Sequence, residues 1–262
     1  MYDELTDMAV IVGEEIMDGE SISRYLPERA FMAHEYKEEN QEKISRYINE
    51  HPDTKYIEHQ ENLTDIYFGL NVEESFGAVP LDKANYNSCG AIATYNALVA
   101  LGEDVDQYDF LDLLEYYERD GLVLGGGLGV SPTDVYEYFA SKPGYSADLM
   151  YGSELTIELK EESKLKNPTE WTQEDIANKG HAYEVANDYD AYIINVWNNK
   201  EDASDGMHFM TISKNDDGKV TVHNEYSEDG ILTADTLELA IRKLREGAVE
   251  PISLIGVKKN AE

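Results

Sequence analysis

The sequence predicts an α+β fold, with helices in the first half of the chain and strands in its last third. Three observations support this prediction. Residues 1 to about 75 contain few glycines and carry apolar residues at helical spacing. The run 89–101 is alanine-rich and uncharged, which is typical of a helix buried on most of its surface. Beyond residue 190, short apolar segments are separated by turn residues, as strands are.

The first 77 residues are predicted to form an acidic helical extension, distinct from a domain at 78–262. Four apolar residues near the N-terminus fall at helical spacing: Met8, Ile11, Val12 and Ile16. A second helix, which could be split, is predicted within 28–50, and His51-Pro52 ends it. Two roles remain open for the extension. It either completes the fold, which the sequence favours, or lies over a cleft as an inhibitory segment.

After residue 77 the sequence predicts three helices in succession. The first, 89–101, is the central helix and ends at Gly102. The second, 106–119, is amphipathic. The third begins at Ser131-Pro132, where serine caps the helix and proline occupies its first turn, and runs to about residue 140.

Four strands are predicted in the last third of the chain, at 192–197, 208–213, 219–225 and 252–258. The turn Asn-Asp-Asp-Gly at 215–218 joins the second and third strands as a hairpin. A further helix is predicted at 236–246. The central helix is expected to pack against the antiparallel sheet that these strands form.

The chain is strongly acidic, with 21 Lys and Arg against 54 Asp and Glu and a net charge of −33. That charge repels nucleic acid and anionic lipid surfaces, whereas a small or cationic partner is compatible with it. With 42% hydrophobic residues, the chain can still form a packed core. It has no apolar run long enough for a membrane span, and its N-terminus is acidic where a signal peptide would be basic. A cytoplasmic location is predicted.

Cys89 is the single cysteine of the chain. An intramolecular disulfide and a multi-cysteine metal framework are therefore both excluded. The sequence also lacks a His-x-x-x-His helix, so we expect neither a metal ion nor a cofactor.

The position of Cys89 is the most informative feature for function. It stands at the start of the central helix, after a polar stretch that reads as a loop, and a helix N-terminus stabilises a thiolate. A nucleophilic cysteine also requires a histidine on another element, because an adjacent imidazolium lowers the thiol pKa further. The alternative is an inert buried cysteine that acts as a small hydrophobic side chain.

Six histidines are available to such a site. Four are most simply surface residues: His34, His51, His59 and His181. His208 and His223 lie on the two predicted hairpin strands. Asn224 is expected nearly opposite His208 across the hairpin, and an asparagine can hold an imidazole in one tautomer by accepting a hydrogen bond from it. Strand alternation directs His223 to the other face, so the sequence favours His208.

Three collinear segments carry a resemblance to a known family. Residues 87–98 read Asn-Ser-Cys-Gly-Ala-Ile-Ala-Thr-Tyr-Asn-Ala-Leu. Residues 124–132 read Leu-Gly-Gly-Gly-Leu-Gly-Val-Ser-Pro, and residues 206–212 read Gly-Met-His-Phe-Met-Thr-Ile, with Val-His-Asn at 222–224. Together they resemble papain-like cysteine peptidases, closest to the bacterial double-glycine (bacteriocin-leader) peptidase-like group. The resemblance covers roughly residues 80 to 257.

The resemblance implies a papain-like fold and a cysteine peptidase or amidase. Cys89 would be the nucleophile, His208 the general base and acid, and Asn224 the residue that orients the imidazole. The reaction would pass through an acyl-enzyme and require no cofactor. The substrate would be a peptide or protein, and the acidic charge of the chain favours a basic one.

One departure from the family concerns the oxyanion donor. Papain-like enzymes usually carry a glutamine six residues before the cysteine, and Lys83 occupies that position here. Asn87 and Asn85 are the nearest side-chain amides, and either could donate to the oxyanion beside the Cys89 backbone N–H. An Asx turn or helix cap is an equally good interpretation of both. The glycine run at 125–129 is interpreted as a turn, since no Gly-Lys-Ser/Thr follows it.

Two other functions remain open. A papain-like scaffold without the glutamine could be a non-catalytic module that binds a peptide or protein. Alternatively, an acyl-enzyme could pass its acyl group to an amine, as in transglutaminase-type exchange. The sequence does not separate hydrolysis from transfer.

Overall fold

A computed structural model describes residues 31–52, 54–69, 83–122, 129–151, 189–197, 207–225, 231–246 and 250–260. Several sequence predictions lie outside these residues. They are the helix near Met8, His181 and all of the glycine run except Gly129. The predicted domain boundary at residue 77 also lies outside them.

The described part of the N-terminal extension begins with two helices and packs into the main core. Helix α1 spans Met32–Glu35 and helix α2 spans Lys37–Glu50, so the helix predicted within 28–50 is split at Tyr36. Seven apolar side chains of 31–69 belong to the hydrophobic cluster that also contains Cys89: Ala33, Ile44, Tyr47, Ile57, Leu63, Ile66 and Phe68. Such packing is what an extension that completes the fold requires.

Four helices follow in the described residues. They are α3 (Ala84–Asn87), α4 (Cys89–Ala100), α5 (Gln107–Asp120) and α6 (Pro132–Ala140). Asp106 caps α5 in a capping box with Asp109, and the Ser131 side chain accepts from the N–H of Thr133 at the start of α6. The predicted starts of these two helices are confirmed. The short α3 occupies a stretch that the sequence predicted to be a loop.

Six strands form one antiparallel sheet in the order β1-β6-β2-β3-β4-β5. Their bounds are Tyr145–Tyr151, Ala191–Trp197, Met207–Lys214, Val220–His223, Thr233–Ala234 and Glu250–Lys259 for β1 to β6. Helix α7, Leu237–Glu246, lies between β5 and β6 in the chain. Four strands and α7 confirm sequence predictions, whereas β1 and β5 were not predicted.

The two faces of the sheet carry different hydrophobic cores. Ile193, Phe209 and Ile255 point to one face and share a cluster with residues of α4. Their strand neighbours, such as Ile194 and Met210, belong to a second cluster with residues of α7. Because side chains alternate along a strand, each strand contributes to both cores. The sheet is thus covered by α4 on one face and by α7 on the other.

Helix α4 is the centre of the first core. Ten of its residues are buried, and its only strongly polar ones, Thr94 and Asn96, are hydrogen bonded. Thr211 on β3 donates from its hydroxyl to the Ala93 carbonyl at 2.8 Å, which joins α4 to the sheet. The α+β class predicted from the sequence is therefore confirmed. None of the helices in the described ranges has the length and apolar character needed to cross a membrane.

Candidate functional site

Cys89 lies at the N-terminal end of α4, next to strand β3. The backbone N–H groups of Phe209, Gly90 and Cys89 itself are near enough to the thiol to lower its pKa. Phe209 follows His208 directly in the chain, so Cys89 and His208 lie at the same end of β3. Gly129 approaches from the other side, where a Cβ atom would stand 3.6 Å from Sγ.

Burial controls the ionisation of this thiol. Only 5% of Cys89 is exposed, and the loss of solvation raises the pKa of the thiol to about 11. The three backbone N–H groups act in the opposite direction, as expected at a helix N-terminus, but they are outweighed. The lowered pKa expected from the helix position is therefore not found in this arrangement, because desolvation is the larger effect.

His208 is buried at the start of β3 and bound to the strand that follows. Its Nε2 lies 2.6 Å from the backbone carbonyl oxygen of Asn224. A carbonyl oxygen can only accept, so Nε2 carries the proton in this hydrogen bond. In the neutral ring the lone pair then lies on Nδ1, which is the form that a general base requires.

Asn224 contacts His208 through its main chain and not, as the sequence predicted, through its side chain. The β3–β4 register pairs Thr211 with His223, and the ladder ends there. Asn224 leaves the strand with a φ of 61°, in the left-handed region. The side-chain oxygen of Asn224 accepts from the backbone N–H of Gln60 at 3.1 Å instead.

His223 is held in a separate contact network. Its Nε2 lies 2.8 Å from Ser213 Oγ, and its Nδ1 lies 2.7 Å from Glu58 Oε1. The ring stacks on Tyr56 with centroids 3.7 Å apart. These contacts join β4 to the segment 54–69. They do not involve the carbonyl of Asn224, which accepts from His208. The choice of His208 over His223 remains a prediction.

The two oxyanion candidates differ in how firmly the fold holds them. Asn87 is buried and its Nδ2 donates to the Phe68 carbonyl at 3.4 Å. The Asn85 side-chain oxygen is buried without a hydrogen-bond partner in the described part of the chain. Lys83, which replaces the family's glutamine, lies over the Tyr67 ring with Nζ 3.7 Å from its centroid. Asn85 is thus the less constrained of the two amides.

Two further polar residues lie buried in the sheet near this site. Asn195 on β2 is paired with Phe209 on one side and with Ser253 on the other. Both side chains are fully buried, and neither has a hydrogen-bond partner among the described residues. Unpartnered buried polar groups are rare and are commonly satisfied by a water or ligand. Asn195 stands within a run of apolar strand residues, which is the signal that could have identified it.

Glu58 and Gln60 were also not predicted as part of the site. They contact Asn224 from a segment more than 160 positions earlier in the chain. Their local sequence, Ile-Glu-His-Gln, carries no motif that would have identified them. No group of three or more His, Cys, Asp or Glu side chains within the described ranges is arranged to hold a metal ion.

No family model matches the chain, and no curated protein or solved structure is found to be similar to it. Its function is therefore inferred from the sequence motifs and from the geometry of the site.

Proposed function

We propose that the chain is a papain-like cysteine peptidase or amidase in which Cys89 is the nucleophile and His208 the general base and acid. One observation carries the proposal. The helix that begins with Cys89 packs on β3, where the N–H of Phe209 acts on the thiol, and the preceding residue, His208, is bound through Nε2 to the Asn224 carbonyl just past β4. This arrangement supports the assignment of Cys89 as the nucleophile and His208 as the base, the two groups that acyl transfer needs.

The first half of the proposed reaction forms an acyl-enzyme. Nδ1 of His208 takes the proton from Sγ of Cys89, and the thiolate attacks the carbonyl carbon of a peptide or amide bond. A sulfur–carbon bond forms and the carbonyl oxygen becomes an oxyanion. When the carbon–nitrogen bond breaks, Nδ1 returns the proton to the departing amine. The Asn224 carbonyl keeps Nε2 protonated throughout, so the same ring nitrogen performs both proton transfers.

Water completes the cycle in the second half. His208 Nδ1 removes a proton from water, and the resulting hydroxide attacks the thioester carbonyl carbon. The carbon–sulfur bond then breaks, the carboxylic acid product leaves, and Nδ1 returns the proton to the Cys89 thiolate. The oxyanion would be stabilised by the Cys89 backbone N–H, with the Asn85 or Asn87 carboxamide as the second donor. Removal of one such donor typically costs about 3 kcal/mol of transition-state stabilisation. An amine in place of water would give transglutaminase-type transfer by the same steps.

The direct test is the rate at which iodoacetamide alkylates Cys89 as a function of pH. Because the chain has a single cysteine, the rate reports on Cys89 alone. We expect wild-type protein to react at pH ~6 about tenfold faster than His208→Ala, because the imidazole holds the thiolate. His34→Ala removes an exposed histidine outside the segment 54–69 and serves as the matched control, with wild-type reactivity expected.

The opposite result would be a slow rate in both proteins that rises only as pH approaches 11. That outcome would favour the second candidate function, a non-catalytic module that binds a peptide or protein. The observation that favours a binding module is the burial of the Cys89 thiol, which raises its pKa to about 11. If the catalytic result is obtained, basic peptides are the first substrates to assay, since the chain carries a net charge of −33.

A further inference from the structure

We infer that Glu58 and Gln60 form a clamp that positions His208 by holding the backbone of Asn224. The Glu58–Gln60 clamp deepens the proposed function and rests on it, because it assigns a role to residues that act on the general base. Neither residue touches the reacting atoms, so both are positioning residues. Through these two residues, part of the N-terminal segment contributes to the site.

The clamp grips Asn224 at its main chain and at its side chain. Glu58 Oε2 accepts from the Asn224 backbone N–H at 3.1 Å. The Gln60 backbone N–H donates to Asn224 Oδ1 at 3.1 Å, and Asn224 Nδ2 donates to Gln60 Oε1 at 3.4 Å. The remaining polar group of Asn224, its carbonyl oxygen, accepts from His208 Nε2. All four polar groups of this one residue are therefore engaged.

Asn224 needs such support because of its backbone conformation. Its φ of 61° is the only positive value at a non-glycine residue in the described part of the chain. A left-handed conformation is unfavourable for an ordinary residue, although asparagine tolerates it better than most. It also turns the chain out of the β4 ladder at the point where the carbonyl meets His208. Conformations of this kind persist when the surroundings determine them, and they concentrate at functional sites.

The segment that carries the clamp is attached to α3 and to α4, the helix that begins with Cys89. Gln60 Nε2 donates to the carbonyl of Asn85 at 3.1 Å, four residues before the cysteine. Ile57 exchanges two hydrogen bonds with the Asn96 side chain on α4, at 2.8 and 2.9 Å. The segment 57–60 thus spans from α4 to the end of β4. It fixes the distance between the helix of the nucleophile and the strand that holds the base.

The positioning of Asn224 explains why residue 58 is a glutamate better than a contribution to the free energy of unfolding does. Its side chain is only 10% exposed, and burial of a carboxylate is unfavourable unless hydrogen bonds compensate for it. One oxygen lies 2.7 Å from His223 Nδ1, and the other accepts from Asn224. A carboxylate supplies both acceptors at once, whereas an apolar residue would release the Asn224 N–H.

The test compares Glu58→Ala with the isosteric Glu58→Gln in protein labelled with ¹⁵N-histidine. In wild-type protein, NMR should show His208 with a hydrogen-bonded Nε2 proton and an unprotonated Nδ1. We expect Glu58→Ala to lose that Nε2–H signal and to alkylate at pH ~6 about tenfold more slowly, since small displacements of a catalytic group are costly. Glu58→Gln keeps an oxygen for the Asn224 N–H and should restore both readouts.

Glu61→Ala is the matched control, because Glu61 is exposed, lies in the same turn and pairs through its carboxylate with His59. Thermal unfolding confirms that each variant is folded before it is compared. If folded Glu58→Ala keeps the wild-type His208 signal, or if Glu58→Gln fails as badly as alanine, the clamp is overturned. If His208→Ala leaves alkylation unchanged, the proposed function fails, and the NMR signal still decides whether the clamp positions the ring.

Discussion

Asn224 combines two tasks that are usually divided between residues. Its carbonyl accepts from His208 while its side chain bonds to Gln60, and both depend on a φ of 61°. The sequence singled out Asn224 because the predicted hairpin places it nearly opposite His208. The sequence did not predict that the backbone carbonyl of Asn224, and not its side chain, contacts His208. That contact depends on where the β4 ladder ends and on a segment that is distant in the chain.

The backbone of Asn224 leads to a comparison of two substitutions. Asn224→Gly and Asn224→Ala both lose the side-chain bonds to Gln60, but only glycine takes positive φ without strain. We expect the alanine variant to be less stable than the glycine variant by about 1 kcal/mol, after allowance for the greater entropy of glycine in the unfolded chain. Urea unfolding measures the difference. Equal stabilities, or a more stable alanine variant, would mean that residue 224 does not keep its left-handed conformation.

At the scale of elements, the start of α4 is held close to the segment that precedes α6. Gly90 follows the cysteine, and a Cβ atom built on it would stand 2.6 Å from Cβ of Val130. That distance is too short for two carbon atoms, so only glycine allows this approach. The close contact places Gly129 beside the thiol and contributes to its burial. A glycine after the cysteine is visible in the sequence, but its partner is not.

Gly90→Ala should therefore destabilise the protein, although alanine favours a helix more than glycine does. We expect a loss of about 1–2 kcal/mol in the free energy of unfolding, because overpacking outweighs the gain in helix propensity. Gly144→Ala is the control, since a Cβ there would meet no atom within 4 Å. It should leave stability unchanged or slightly improved. Chemical denaturation distinguishes the two, and an equally mild effect at Gly90 would contradict the contact with Val130.

Two strands of the sheet, β1 and β5, were not predicted from the sequence, for different reasons. Strand β1 has the alternation of a strand, with Tyr145, Ala147 and Leu149 packed against the first core. The alternation was present in the sequence, but aspartate and alanine have a low propensity for strands. Strand β5 has two residues and no pattern to detect. Its existence depends on pairing with β4, which is a tertiary contact.

At the scale of the whole molecule, Glu118 joins the N-terminal segment to the rest of the fold. Its Oε1 accepts from the backbone N–H groups of Ala33 at 2.6 Å and Gly69 at 2.8 Å. The residue is fully buried on α5, and desolvation raises the pKa of its carboxyl group to about 8 despite these hydrogen bonds. The folded protein consequently binds a proton at Glu118 more tightly than the unfolded chain does.

This shift predicts a pH dependence of stability. An unfolded glutamate has a pKa of about 4.3, so between that pH and about 8 the folded state holds the extra proton and stability falls as pH rises. The slope is at most about 1.4 kcal/mol per pH unit. Glu118→Gln cannot ionise and should lose this component. Urea unfolding from pH 5 to 9 should show the wild type losing stability relative to the variant, and a constant difference would contradict the raised pKa.

The sequence by itself determined the α+β class, the central helix with Cys89 at its start, the capped helices α5 and α6, and the β3–β4 hairpin. All of these follow from local spacing, capping residues and turn residues, which act within a few positions of one another. Only the tertiary structure decided the ionisation of Cys89, the atom of Asn224 that meets His208, and the place of Glu58 and Gln60 beside them. Desolvation and long-range hydrogen bonds set these features, and both depend on residues that the fold brings together from distant parts of the chain.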